Sequence, residues 1–279
     1  MKIGLIGDHI VDVYIYGTMN RFSPESPLPI FDIITAEQRP GGASNVNNNL
    51  MKLGATVDYF YDGTDYSIKR RYVCDNHIMF RCDEDKFSNV DPEFPDVIFP
   101  EETKYVILSD YGKGVLRDPS YLIDRLKEEG RIVVVDPKKP LNFYEGADII
   151  KMNEKEYKQF CPIGDRGRKY YGIDTFVITM GGRGVKIIND EGETIIPGHK
   201  NQIADVTGAG DVFIAAMTYY LAKGKTIYKA CEMANELAAI SVGHFGTYTL
   251  TEEDVRKVDK KVVFTNGCFD IIQIGRAHV

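Results

Sequence analysis

The chain contains no apolar run approaching the eighteen or so residues that a membrane-spanning helix requires, so no transmembrane segment is expected. Its five cysteines (Cys74, Cys82, Cys161, Cys231 and Cys268) are an odd number without metal-type CxxC spacing. Together with an N-terminus that enters a strand directly at Lys2, this reads as a reduced, cytoplasmic protein with no signal peptide. An excess of positive charge is also absent: 34 Lys and Arg stand against 41 Asp and Glu, for a net charge of −7. That balance argues against non-specific binding to nucleic acid or to an anionic membrane, while leaving room for a local basic site that holds a phosphate. There is no internal repeat and no low-complexity segment. What is present is ordinary for a globular protein, with 43% apolar and 27% charged residues over 279 positions. The length suits one large domain or two small ones. The 26 glycines sit in short clusters, which mark turns and close backbone approaches instead of a linker.

Lys2–Gly7 is a short apolar run stopped by Gly-Asp, as expected of a strand buried on both faces. Leu28–Thr35 reads as a strand, and Gly41-Gly42 opens a helix over Ala43–Leu53 that Gly54 ends. Thr56–Tyr61 is a further strand, and Lys69–Val73 with Ile78–Cys82 flank Asp75-Asn76-His77 as an antiparallel hairpin. From Tyr105 strands at 105–110, 132–136, 147–152 and 175–180 alternate with helices at 119–129 and from Asn153. A hairpin follows over 185–197, then two long helical stretches, 210–222 and 226–242. This alternation predicts an α/β fold, a mainly parallel sheet with helices on both faces. The segments of about 10–35 and 69–83 do not fit it and are expected to form a small antiparallel β flap.

The strongest chemical signal is Asp205-Val206-Thr207-Gly208-Ala209-Gly210-Asp211. Gly208 and Gly210 allow successive N–H groups to point into one cavity, and the helix beginning there adds its positive end. Such a nest suits an anion, most naturally a transferring phosphoryl group, and Asp211 at its rim is placed to take a proton from an attacking hydroxyl. Taken alone, the motif reads equally well as a glycine-rich helix entry. In Arg39-Pro40-Gly41-Gly42-Ala43-Ser44-Asn45 the glycines let a small polar ligand touch backbone, and Asn45 offers donor and acceptor to sugar hydroxyls; helix capping is the plainer alternative.

Gly7-Asp8, Gly41-Gly42-Ala43-x-Asn45 and Asp205-x-Thr207-Gly208-Ala209-Gly210-Asp211 occur in the order found in the ribokinase-like (PfkB) carbohydrate kinases, which the chain resembles over roughly its first 258 residues. Gly7–Gly17, Arg21–Pro29, Arg39–Ala43 and Ser109–Gly114 are most similar to the kinase domain of the bifunctional heptose 7-phosphate kinase and ADP-heptose synthase group. The resemblance implies a ribokinase-like fold and ATP- and Mg²⁺-dependent phosphorylation of the anomeric hydroxyl of D-glycero-D-manno-heptose 7-phosphate, a step toward ADP-heptose for lipopolysaccharide. Another sugar, a sugar phosphate or a nucleoside is the alternative substrate, and a truncated, non-catalytic nucleotide-binding relative is the alternative to an enzyme.

By position, the resemblance makes Asp211 the general base and Gly208, Ala209 and Gly210 the anion hole. Asp8, Asp12, Gly41, Gly42, Asn45 and Asp110 would meet the sugar; a solvated strand-end Asp is the plainer reading of Asp8 and Asp110. Lys113, Arg71 and Arg81 would meet its far phosphate, with Arg70 a further candidate. Because Arg70 and Arg71 are adjacent in a strand, at most one of them faces inward, and a solvated charged face is the alternative for the set. Asn153 and Glu156, matching Asn-x-x-Glu, would organise Mg²⁺ through water, or else form a helix cap and capping box. Thr179, Gly181, Gly184, Thr207, Asn235 and Gly246 would border the ATP, although 179–184 alone reads as a hairpin turn. K⁺ is a further candidate cation, and a homodimer through the flap is the implied assembly.

Two departures matter. A βαβ unit takes about thirty or more residues, and positions 56–68, where the family carries a strand–helix–strand unit, supply thirteen. One helix and one strand are therefore expected to be missing, which leaves a narrower sheet or an edge covered by another subunit. From 259 onward, Lys261–Ile271 resembles the first strand of a cytidylyltransferase-like domain, yet Gln273-Ile274-Gly275-Arg276 stands where a His-x-Gly-His motif belongs. A truncated frame is the expectation, with Ile274–Val279 non-native and no adenylyltransferase activity.

Overall fold

β1 (Lys2–Gly7) leads through Asp8 directly into β2 (His9–Phe22), with no helix between them. β2 runs antiparallel to β3 (Pro29–Gly42), whose last residues deliver the chain to α1 (Ala43–Leu53). Gly54 closes α1 in the left-handed conformation, the usual way a glycine stops a helix. β4 (Thr56–Phe60) follows, then β5 (Ser67–Cys74) and β6 (His77–Glu84), joined by a tight turn in which Asp75 and Asn76 both take positive φ. The remaining elements are β7 (Tyr105–Ser109), α2 (Ser120–Glu128), β8 (Ile132–Asp136), β9 (Ile149–Asn153), α3 (Glu154–Phe160), α4 (Arg166–Tyr170), β10 (Thr175–Thr179), β11 (Val185–Asn189), β12 (Gly192–Ile196), α5 (Ala209–Ala222), α6 (Ile227–Ser241) and α7 (Glu252–Asp259). The computed structural model describes residues 1–61, 63, 66–87, 97–199 and 204–259. The segment read as the start of a second domain lies, apart from Asp259, outside the described residues.

The main sheet has eight strands in the order β12-β11-β10-β9-β8-β7-β1-β4. It is parallel from β10 to β4, with β11 and β12 as an antiparallel edge. Alternation along each strand divides its side chains between two cores. Ile3, Leu5, Ile107, Val134 and Val177 pack against α1, α5 and α6. Ile6, Leu108, Val133, Val135 and Phe176 pack on the opposite face against α2, α3 and the 141–144 turn. The α/β expectation therefore holds. Among the described residues no helix is long and apolar enough to cross a membrane.

The flap is a second sheet, ordered β3-β2-β5-β6. β2–β3 and β5–β6 are antiparallel, as expected of the flap, while β2 and β5 between them are parallel, because the chain returns to the body through α1 and β4 before re-entering the lid. No further strand or helix occurs between β4 and β5 among the described residues, and β4 stands at the sheet edge. α4 and α7 were not anticipated. α7 buries only Asp254 and Val255, too few positions for an apolar periodicity to register.

Candidate active site

In a parallel sheet every strand presents its carboxyl end to the same side, and ligands collect there. Here Asp110 follows β7, Asp136 ends β8, Lys151 and Asn153 end β9, and the lid arches over them. A cavity of about 220 Å³ occupies this space, walled by these residues, by Asp12, Lys69 and Arg71 from the lid, and by Thr207, Gly208, Gly210 and Asp211 at the head of α5.

Gly208 caps α5 with φ 78, and a Cβ there would come within 2.9 Å of Asn45 Nδ2. A Cβ on Gly210 would lie 2.8 Å from Lys151 Nζ, so an ammonium sits against the nest. The amides of Gly208 and Gly210 have no partner among the described residues, whereas the Ala209 amide closes a turn onto the Val206 carbonyl. Asp211 is buried, and both carboxylate oxygens accept bonds: Oδ2 from Asn45 Nδ2 at 2.9 Å and Oδ1 from the Tyr111 hydroxyl. Burial pushes its carboxyl above the ordinary range, while the two donors and Lys151 pull back. Lys151 and Asp136 form a buried ion pair at 2.9 Å. Burial raises the Asp136 carboxyl to about 6 against the pull of Lys151. For Lys151, burial works against the charge, but Asp136, Glu156 and Asp211 more than offset it and hold the ammonium above its ordinary range.

On the lid, Asp12 Oδ1 accepts from Arg71 Nη1 at 2.6 Å and Oδ2 from Thr247 Oγ1 at 2.6 Å. The guanidinium carbons of Arg39 and Arg71 lie 4.6 and 5.2 Å from the centre of the Tyr14 ring, whose hydroxyl accepts the Thr247 amide at 2.8 Å. Arg39 Nη1 reaches the Phe245 carbonyl at 2.6 Å. Asp205 binds the Thr207 amide and hydroxyl with one oxygen and the Gly246 amide with the other. The lid, the nest and the 243–247 loop are thereby tied together.

A second cavity of about 170 Å³ adjoins the nest at Gly210. Its walls are apolar, with Val206, Phe213, Ala238 and Val242, and they include Thr179, Gly181, Gly184 and Asn235. This mainly apolar lining suits the face of a planar ring.

Not every expected residue reaches a cavity wall. Asp8 is buried, and its carboxylate accepts the amides of Tyr111, Lys113 and Val115 at 2.8, 3.1 and 3.0 Å. Asn45 is also buried, its side-chain amide donating to Asp211 and accepting from Asn49. Gly41 packs on Asp12, leaving no room for a Cβ. Lys113 pairs with Asp85 at 2.6 Å, and Arg81 with Asp83 at 2.7 Å on the exposed lid edge. Arg71 faces the cleft while its neighbour Arg70 pairs with Glu84 on the other face. Gly246 packs against Tyr14 and Arg39 and is not among the residues lining the second cavity. Asn153 and Glu156 form a complete capping box, with bonds of 2.9 and 2.8 Å, and both still line the cleft.

The family described as pfkB family carbohydrate kinase matches residues 117–254. The chain is 32% identical to the bifunctional protein HldE of Campylobacter jejuni, over 98% of this chain and 73% of that protein. It is 29% identical to HldE of Helicobacter hepaticus, again over 98% and 73%. The chain belongs to the pfkB family of carbohydrate kinases. The two alignments run over 336 and 352 positions, more than this chain's 279 residues, so these relatives carry residues within the matched region that this pfkB kinase lacks. Ribokinase from Thermotoga maritima superposes with a TM-score of 0.73 at 19% identity, covering 92% of this chain and 98% of that one. Phosphofructokinase-2 from Escherichia coli gives 0.74 at 14% identity, covering 92% and 97%. At such identities these structures speak to the shared fold.

As an ATP-dependent carbohydrate kinase of the pfkB family, the chain must bring an alcohol and a triphosphate together at one anion site, and the two cavities meet at the nest. Reasoning from sequence missed Tyr111, Asp136, Lys138, Lys151 and Lys69 as cleft residues. The available signal was positional: a polar residue closing an apolar strand run, as Asp136 closes Ile132–Val135, belongs at the ligand side of a parallel sheet.

Proposed function

We propose that this sugar kinase phosphorylates the anomeric hydroxyl of D-glycero-D-manno-heptose 7-phosphate, giving heptose 1,7-bisphosphate and ADP on the way to ADP-heptose for lipopolysaccharide. The observation that carries this reading is a buried carboxylate beside an amide nest, Asp211, sharing one cleft with a cationic wall of Lys69, Arg71 and Lys138. Such a wall suits an acceptor that already bears a phosphate. Asp211 takes the proton of the anomeric hydroxyl as that oxygen bonds to the γ-phosphorus. The bond from phosphorus to the β,γ-bridging oxygen breaks, and ADP leaves with its electron pair. The Gly208 and Gly210 amides and the Lys151 ammonium face the negative charge carried by the transferring group.

Among the described residues no three His, Cys, Asp or Glu side chains form a metal cage, which fits an ion held through water and phosphate. Glu156 and Asn153 would hold Mg²⁺ in this way, and the bound ion would neutralise charge on the phosphates. Dimerisation through the lid belongs to the same reading, supported by exposed Phe22, Ile33 and Ile34 on its strands.

The test is ADP release from ATP with heptose 7-phosphate, ribose, fructose, fructose 6-phosphate and a nucleoside, each assayed in Na⁺ and in K⁺ buffer. Heptose 7-phosphate should give the highest kcat/KM, and the Asp211→Asn variant should lose about 10²–10⁴-fold in kcat. Equal use of ribose removes the substrate assignment; full turnover by Asp211→Asn removes the mechanism.

A further inference from the structure

Tyr111 contacts Asp211 directly, and phosphoryl transfer as described above gives it no task. Its phenol donates to Asp211 Oδ1, opposite the Asn45 amide on Oδ2. Tyr111 is fixed at both ends. Its amide donates to Asp8 Oδ2, and Asp8 gathers the amides of Lys113 and Val115 as well, so one carboxylate at the end of β1 sets the course of the whole 111–115 loop. Lys69 Nζ lies 5.6 Å from the centre of the phenol ring and holds it from the lid side.

We propose that Tyr111 is a positioning residue for phosphoryl transfer, its phenol holding the Asp211 carboxylate in one orientation and in its ionised form, with Asp8 as the anchor that places the phenol. The inference rests on the reading of Asp211 as the base. A base must be charged to work, and burial in this corner disfavours that charge. The groups facing Asp211 divide: Lys151 on β9 favours the carboxylate, Asp12 on β2 and Asp136 on β8 oppose it, and Asn45 on α1 contributes a neutral donor. The phenol is the second donor, and a hydrogen bond to the charged form of a carboxylate favours that form. An incoming alcohol can still use the remaining lone pairs of Oδ1 and Oδ2, because each carboxylate oxygen accepts more than one bond.

The decisive variant is Tyr111→Phe, which keeps the ring and the amide held by Asp8 and deletes only the hydroxyl. Carbon-13 NMR of protein labelled at the aspartate carboxyl carbons, with the Asp211 signal identified by its absence in Asp211→Asn, reads the titration without any substrate. The Asp211 titration in Tyr111→Phe should move upward by about one pH unit or more, as loss of a hydrogen bond to a charged group requires. The acid limb of kcat/KM for heptose 7-phosphate should move the same way. An Asp211 titration unchanged in Tyr111→Phe overturns the proposal alone, as does a kcat lowered equally at every pH with the acid limb in place. Full turnover by Asp211→Asn overturns the base reading and this proposal with it.

Discussion

Replacing Lys151 with methionine probes the charge balance beneath the nest. The Lys151–Asp136 pair is 2.9 Å long, with side chains 6% and 13% exposed. Methionine keeps the apolar stem and removes the ammonium, leaving Asp136 buried without its partner. Breaking a buried pair from one side costs about 3–5 kcal/mol. Protonation limits that cost, because Asp136 already titrates at about 6 and must rise further once Lys151 is gone. A carboxyl whose folded pKa lies above its unfolded value near ~3.9 stabilises the fold as pH falls through the interval between the two, and opposes it above that interval. The variant widens the interval, so its stability deficit should be greatest near pH 8 and shrink toward about pH 5. At roughly 2 °C per kcal/mol for a chain of this size, Tm should fall by about 6–10 °C at the upper pH and by much less at the lower. The double variant Lys151→Met/Asp136→Leu should recover most of the Tm but none of the turnover, since the cation facing the phosphates stays absent. Thermal melts across the pH range, paired with ADP-release kinetics, provide the assay. Equal Tm losses at both pH values, or near-normal turnover in the double variant, would refute the reasoning.

Two further outcomes follow from the same geometry. Gly208→Ala forces a Cβ into the left-handed region at φ 78 and to within 2.9 Å of Asn45 Nδ2. A cost of about 1–2 kcal/mol and a Tm lower by about 2–4 °C are expected, with kcat down by roughly 10–100-fold as the nest and Asn45 shift; a lower Tm with unaltered kcat would separate the nest from the reaction. Arg71→Met should raise KM for a phosphorylated acceptor by about tenfold or more, since it unpairs buried Asp12 and removes a cleft cation. Arg70→Met, which breaks an exposed pair with Glu84, should change KM by less than about twofold. Identical KM values for the two variants would sink the assignment of the inner lid face.

The α/β body was legible because its strands are continuous apolar runs and its long helices carry their own start and stop residues. The lid was legible mainly as an exception to that rhythm. Its parallel β2–β5 contact depends on where the chain goes between them, which no local pattern records. The nest and its acid were visible as a contiguous motif, 205–211. Asp8 and Asn45 were visible as motif members, but their distant partners were not: each binds a group about one hundred or more positions away, Tyr111 for one and Asp211 for the other. Lys69, Asp136 and Lys151 carry no motif and converge only once strand order is known. The Asn153–Glu156 spacing was compatible with a helix cap and with an ion site, and the capping box satisfies the first while leaving both side chains on the cleft wall.

The 243–247 loop has a mechanical consequence. It continues directly from α6, whose Asn235 and Ala238 wall the second cavity together with Val242 just beyond the helix, and it grips the lid through Thr247 on Asp12, Tyr14 on Thr247 and Arg39 on Phe245. A cover hinged to the wall of the fuel chamber cannot lift without pulling on that wall. Arrival of one reactant should therefore alter how long the other stays.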